Sequence, residues 1–129
     1  MSPKHLFLIA AAFLSVAFHN PALAQQANEQ YIQVADIEID ATQLDAYKAA
    51  VMEQIETAIR VEPGVLVLYA VSDKDNPTHV RVFEIYRDIT AYRSHLETVH
   101  FKKYKATVET MVKSLKLNRT DPIMLGAQR

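Results

Sequence analysis

The amino-acid sequence predicts one α+β domain in the order βαββαβ, a four-stranded antiparallel sheet with helices on one face, behind an N-terminal leader. Two observations carry this. Short segments with strand-like apolar patterning alternate with two stretches whose apolar residues repeat at helical spacing. Clusters of Asp, Asn, Pro and Gly fall at the joins. Composition narrows the function before any motif is read. The 129 residues carry 14 Lys+Arg against 15 Asp+Glu, no Cys, no Trp and two Gly, Gly64 and Gly126. Without thiols there is no disulfide, thiolate metal site or Cys nucleophile. Without clustered glycines there is no phosphate-cradling loop of the dinucleotide or P-loop kind. Near-neutral charge excludes the basic footprint of a nucleic-acid binder.

Residues 1–24 have the three-part layout of a secretory signal. Lys4 precedes an apolar run from Leu6 to Phe18, Asn20-Pro21 breaks it, and Ala22-Leu23-Ala24 offers small residues for cleavage. The apolar run is shorter than the roughly 20 residues that span a bilayer. Cleavage after Ala24 leaves residues 25–129 as a single exported domain, expected in a bacterial periplasm and free of the membrane.

The first strand is Tyr31 to Ile39, with Tyr31, Gln33, Ala35, Ile37 and Ile39 on one face. Asp40 and Gln43 then form a capping pattern. The following helix carries Leu44, Tyr47, Val51, Ile55 and Ala58 at helical spacing. Glu62-Pro63-Gly64 ends it, with Gly64 expected at a positive φ. Gly64 to Val71 and Thr78 to Arg87 are the next two strands, joined across the Ser72–Pro77 turn cluster. Asp88 caps a short helix from Ile89 to Glu97. A second helical piece is expected from Val99 to Lys116, with Phe101, Tyr104, Val108 and Leu115 in its stripe. Leu117 to Leu125 is the last strand, confined by Pro122 to an edge.

This order is that of the ferredoxin-like sandwich. The second and third strands are apolar on both faces, although helices can cover only one. A second copy of the same sheet is the simplest cover, so a homodimer joined through its sheets is expected.

The ordered set Glu62-Pro63-Gly64, Asp75-Asn76-Pro77, Glu84-Ile85-Tyr86, His95-Leu96 and His100-Phe101 resembles the antibiotic biosynthesis monooxygenase domain, which includes small quinol monooxygenases. The resemblance spans about Tyr31 to Lys116. It implies a dimeric α/β barrel with a pocket between sheet and helices. It also implies oxygenation of an electron-rich aromatic without metal, flavin or haem: a phenolic proton is removed, and the anion passes an electron to O₂. Several oxygenases of this kind use a Trp, which this chain lacks.

His95 is the candidate catalytic base, one turn from Tyr92; a structural bond to backbone or to Glu84 is the other role open to it. Tyr69, Glu84, Tyr86, Tyr92, His100 and Phe101 are the candidate substrate contacts. Each has a structural alternative, as core aromatic, helix-end histidine or paired carboxylate. No metal site is expected, because His95 and His100 would lie about 140° apart on one continuous helix. The functional reading is an exported, cofactor-independent monooxygenase acting on a quinol or similar aromatic. The rival is a dimeric binding protein for a small apolar ligand.

Overall fold

The computed structural model describes residues 29–128, so the expected leader lies outside the described residues. Four strands form one antiparallel sheet: β1 (Tyr31–Ile39), β2 (Val65–Ser72), β3 (His79–Tyr86) and β4 (Val112–Arg119). Their order is β2-β3-β1-β4. Three helices, α1 (Leu44–Val61), α2 (Ile89–Leu96) and α3 (Val99–Val108), cover one face. This is the expected ferredoxin-like α+β sandwich.

Capping residues set the helix starts. The Asp40 carboxylate accepts from the Thr42 amide at 2.9 Å, opening a 3₁₀ turn (Ala41–Gln43) that leads into α1. Asp88 accepts from the Ala91 amide at 2.8 Å and starts α2. That bond holds the Asp88 carboxyl below its usual range. The inward residues Ala35, Ile37, Ile39, Val80 and Val82 pack against Tyr47, Val51 and Val108 as the main core. A second cluster gathers Tyr31, Ala58, Val65, Leu68, Tyr86 and Ala91 around the start of α2.

Three expectations are corrected. The last helix ends at Val108, and after a turn the strand runs Val112–Arg119, rather than helix to Lys116 followed by a strand at Leu117–Leu125. Met111, Val112 and Leu115 fit a helical stripe, but Leu115 and Leu117 also fit a strand. The free edge of β1 decides: Leu115 pairs with Ile37 and Leu117 with Ala35, satisfying backbone groups a helix would leave orphaned. Asn118 accordingly sits in β4 and donates to Asp36 at 3.3 Å.

Gly64 is the second correction, since it has no positive φ. Its reason is close approach. A Cβ there would lie 2.6 Å from the Cβ of Ala91, so the missing side chain lets α2 sit on the β2 end.

The third concerns β2. Its pairing with β3 slips between Val65 and Val67, leaving Leu66 as an extra residue. One extra residue reverses the alternation of everything after it. Leu68 therefore points toward the helices, and Tyr69 and Val71 point to the outer face, 65% and 58% exposed. Val34 and Phe83 share that outer face by register.

Gly64→Ala is expected to destabilise the fold by about 1–3 kcal/mol through overpacking alone. Adding Ala91→Gly, which removes the opposing methyl, should restore part of that loss in urea unfolding. Additive losses would show that contact with Ala91 is not the cause.

Candidate active site

A cavity of about 110 Å³ lies between the helix-facing side of the sheet and the three helices. An apolar cavity of about 150 Å³ holds a benzene, so the space is of the order of one aromatic ring. Ile37, Val51, Ile55, Val82, Val108 and Leu117 supply apolar wall, and Leu68 enters it because of the β2 bulge. The polar groups gather at Gln33, Gln54, Glu84, Tyr86, Tyr92 and His95.

Glu84 is the carboxylate of this cavity. Gln33 Nε2 and the Tyr86 hydroxyl each donate to it at 2.7 Å. Desolvation nevertheless outweighs those two bonds and raises its pKa. The Tyr86 phenol is raised well above its ordinary value by burial and the adjacent carboxylate, so it remains a neutral donor. Gln33 sits at an inward position of β1, opposite Glu84 in the register. The pair is therefore a consequence of strand alternation. Within the chain, Glu84's partners are thus a neutral amide and a phenol rather than His95.

His95 is 1% exposed. Its Nδ1 lies 2.8 Å from Glu62 Oε2, and its Nε2 lies 3.1 Å from Gln54 Nε2. An amide nitrogen can only donate, so Nε2 accepts and Nδ1 carries the proton, donated to Glu62. This is the arrangement that satisfies a neutral imidazole on both sides. The ring packs 4.8 Å from Phe101 and 5.3 Å from Tyr86, centroid to centroid.

His100 also reaches Glu62, its Nε2 2.6 Å from the same Oε2. The expectation that the two imidazoles diverge is thus overturned. Thr98 is the reason: its hydroxyl donates to the His95 carbonyl at 2.8 Å and accepts from the Phe101 amide at 3.2 Å. One residue closes α2 and caps α3, and the corner turns both histidines toward the end of α1. A Thr directly before a helical run is a cap signal, and it falls at the expected break between Glu97 and Val99.

Of the residues singled out from sequence, Glu84, Tyr86, Tyr92, His95 and Phe101 line the cavity. Tyr92 stacks on Tyr31 with ring centroids 4.1 Å apart, and the Arg119 guanidinium lies 3.5 Å from the Tyr31 centroid. Tyr69 is on the opposite face of the sheet, and His100 lines a separate groove between α1 and α3. Sequence reasoning missed Gln33, Gln54 and Glu62. Gln54 is buried on the inner side of α1, and a Gln amid an apolar stripe was its signal. Glu62 stood in a turn motif that gave no sign of its partners.

The raised Glu84 pKa fixes a pH dependence. The folded state holds this proton more tightly than the unfolded chain. Its contribution to stability is therefore full below the ordinary glutamate value of 4.5 and is lost as pH rises through the higher folded value. Glu84→Gln should remove that decline. Melting temperature followed against pH for both proteins checks this, and parallel curves would contradict it.

The family model described as antibiotic biosynthesis monooxygenase matches residues 30–107. No curated protein sequence matches the chain. Among solved structures, a candidate antibiotic biosynthesis monooxygenase from Bacteroides thetaiotaomicron is 45% identical. The match covers 80% of this chain and 98% of that one, with a TM-score of 0.75. A candidate monooxygenase from Lactobacillus acidophilus is 26% identical over 73% of this chain and 44% of its own, with a TM-score of 0.70. A Nitrosomonas europaea protein, 23% identical over 74% of this chain and 92% of its own, has the same fold at a TM-score of 0.70. With the sandwich fold, a family match over most of its length and a relative at 45% identity, the chain belongs to the antibiotic biosynthesis monooxygenase family.

Proposed function

We propose that this is an exported, cofactor-independent monooxygenase that oxidises a quinol or other electron-rich hydroxy-aromatic with O₂, using His95 as the proton acceptor. The observation that carries the reading is the buried line Glu62–His95–Gln54. A carboxylate fixes the proton on Nδ1 and leaves the Nε2 lone pair at the cavity wall. A substrate hydroxyl would take the place of the Gln54 amide on Nε2.

The chemistry follows from that placement. The hydroxyl proton moves to Nε2, and Glu62 stabilises the imidazolium that results. The phenolate gives one electron to O₂, and the radical pair joins in a carbon–oxygen bond. The peroxide takes back the proton held on His95; loss of the ring hydrogen as a proton then cleaves the O–O bond, leaving a quinone and hydroxide, and hydroxide joins that one proton as water. One substrate and one O₂ thus give one quinone and one water. Phe101 and the apolar wall keep water from the radical pair. Glu84, buried and held by two donors, positions a second substrate oxygen when protonated.

Export rests on the signal-like first 24 residues, and a mature chain beginning at Gln25 in the periplasmic fraction is its test. The homodimer rests on the outer sheet face, where Tyr69 and Val71 are mostly exposed. A second copy would cover them. Light scattering should give twice the chain mass, and a stable monomer at micromolar concentration would refute it.

Oxygen uptake with a panel of hydroquinones and anthrones tests the reaction. Turnover should persist in chelator, and His95→Ala should lower kcat by about 10²–10⁴-fold, the usual share of a general base. Saturable binding with no oxygen uptake would instead identify a ligand-binding protein.

A further inference from the structure

We propose that Glu62, His95 and His100 form a site for one divalent transition-metal ion, with Glu62 Oε2, His95 Nδ1 and His100 Nε2 as its protein ligands. The three ligand atoms lie within 4.8 Å of one another, on three different helix ends and turns. Two imidazoles and one carboxylate are a ligand set that suits zinc, cobalt, nickel or ferrous iron.

Two of the three ligand separations suit a facial arrangement. Bonds of about 2.1 Å place neighbouring ligand atoms about 3.0 Å apart in an octahedron and about 3.4 Å apart in a tetrahedron. The two oxygen–nitrogen separations, 2.8 and 2.6 Å, are nearer the octahedral edge. The two imidazole nitrogens lie within 4.8 Å of each other, so an ion is admitted once the rings close toward the ~3.0 Å edge and the Glu62 carboxylate opens, with water at the remaining positions. In its absence the same atoms share protons, so the ion and the protons compete for one site.

The second shell can serve both states. A metal on Nδ1 moves the ring proton to Nε2, which must then donate. Gln54 meets this by turning its amide about, so that Oε1 accepts where Nε2 had donated. An entry path also exists. His100 forms part of a groove of about 330 Å³ between α1 and α3, bordered by Ala46, Ala50, Lys103 and Thr107.

Occupation has a functional consequence. With its proton on Nε2, His95 can no longer accept one from a phenol, so the ion acts as an inhibitor and not as a redox centre. This consequence rests on the reading of His95 as the base; the site itself does not.

The test is titration of the chelator-stripped protein with Co²⁺, followed by absorbance, and with Zn²⁺, followed by calorimetry. One ion per chain is expected, with release of protons and at least about tenfold weaker binding near pH 6 than near pH 8. His100→Ala and Glu62→Gln should each weaken binding by at least about tenfold. His79→Ala, which removes the imidazole between Asp36 and Asp73, should leave it unchanged. His100 is partly exposed, so His100→Ala, checked by an unchanged melting curve, decides the matter even if Glu62→Gln unfolds. Absence of saturable binding up to about 100 μM ion, or binding that survives His100→Ala, overturns the proposal. Both readouts are independent of oxygen uptake, so a failed enzyme assay does not bear on them.

Discussion

A single carboxylate oxygen ties the helical layer together. Glu62 Oε2 accepts from an imidazole on α2 and from another on α3, and Glu62 itself caps the end of α1. Side chains this buried cannot be left unpaired without large cost. Three chain segments are therefore held in one relative position by two short bonds. The same bonds fix the tautomer of His95, and through it what the cavity wall offers to a ligand.

The supporting features are mostly about letting those segments meet. Gly64 removes a methyl so that α2 can approach the start of β2. Thr98 makes a corner with one hydroxyl used twice. The bulge at Leu66 turns Leu68 inward and Tyr69 outward, giving the cavity an apolar wall and leaving an aromatic on the other face. The polar floor is built differently. Glu84, Gln33 and Tyr86 are placed by register alone, and their mutual bonds keep a buried carboxyl and phenol satisfied. Two carboxylates thus serve two environments. Glu84 is in the cavity with a raised pKa, and Glu62 lies behind His95 with two imidazole partners.

The fold was legible because it depends on local pattern. Period-two and period-3.6 segments and their caps placed β1, α1, the hairpin and α2 close to where they lie. The C-terminal segment was not, since Met111 to Leu117 fits either period and only the open edge of β1 selects strand. Of the candidate contacts, His95, Glu84, Tyr86, Tyr92 and Phe101 line the cavity. Tyr69 and His100 were candidate contacts too and lie elsewhere, one because of a single-residue bulge, the other because the Thr98 corner turns it toward Glu62 and the groove between α1 and α3.

Sequence alone thus determined the order of elements, the sandwich and the resemblance to the family, though not the bounds of the last helix and strand, because periodicity, capping and motif spacing are properties of the chain read along its length. Tertiary structure decided the site. Glu62 lies 33 residues from His95 and 38 from His100, and Gln54 lies 41 from His95. No local rule connects positions so far apart. They meet because two helix ends and a corner converge over one sheet, and convergence is a matter of packing rather than of pattern. The two-glycine, cysteine-free composition had excluded thiolate and phosphate-loop chemistry from the start. What remained, imidazole and carboxylate, is what the fold gathers beside a ring-sized cavity.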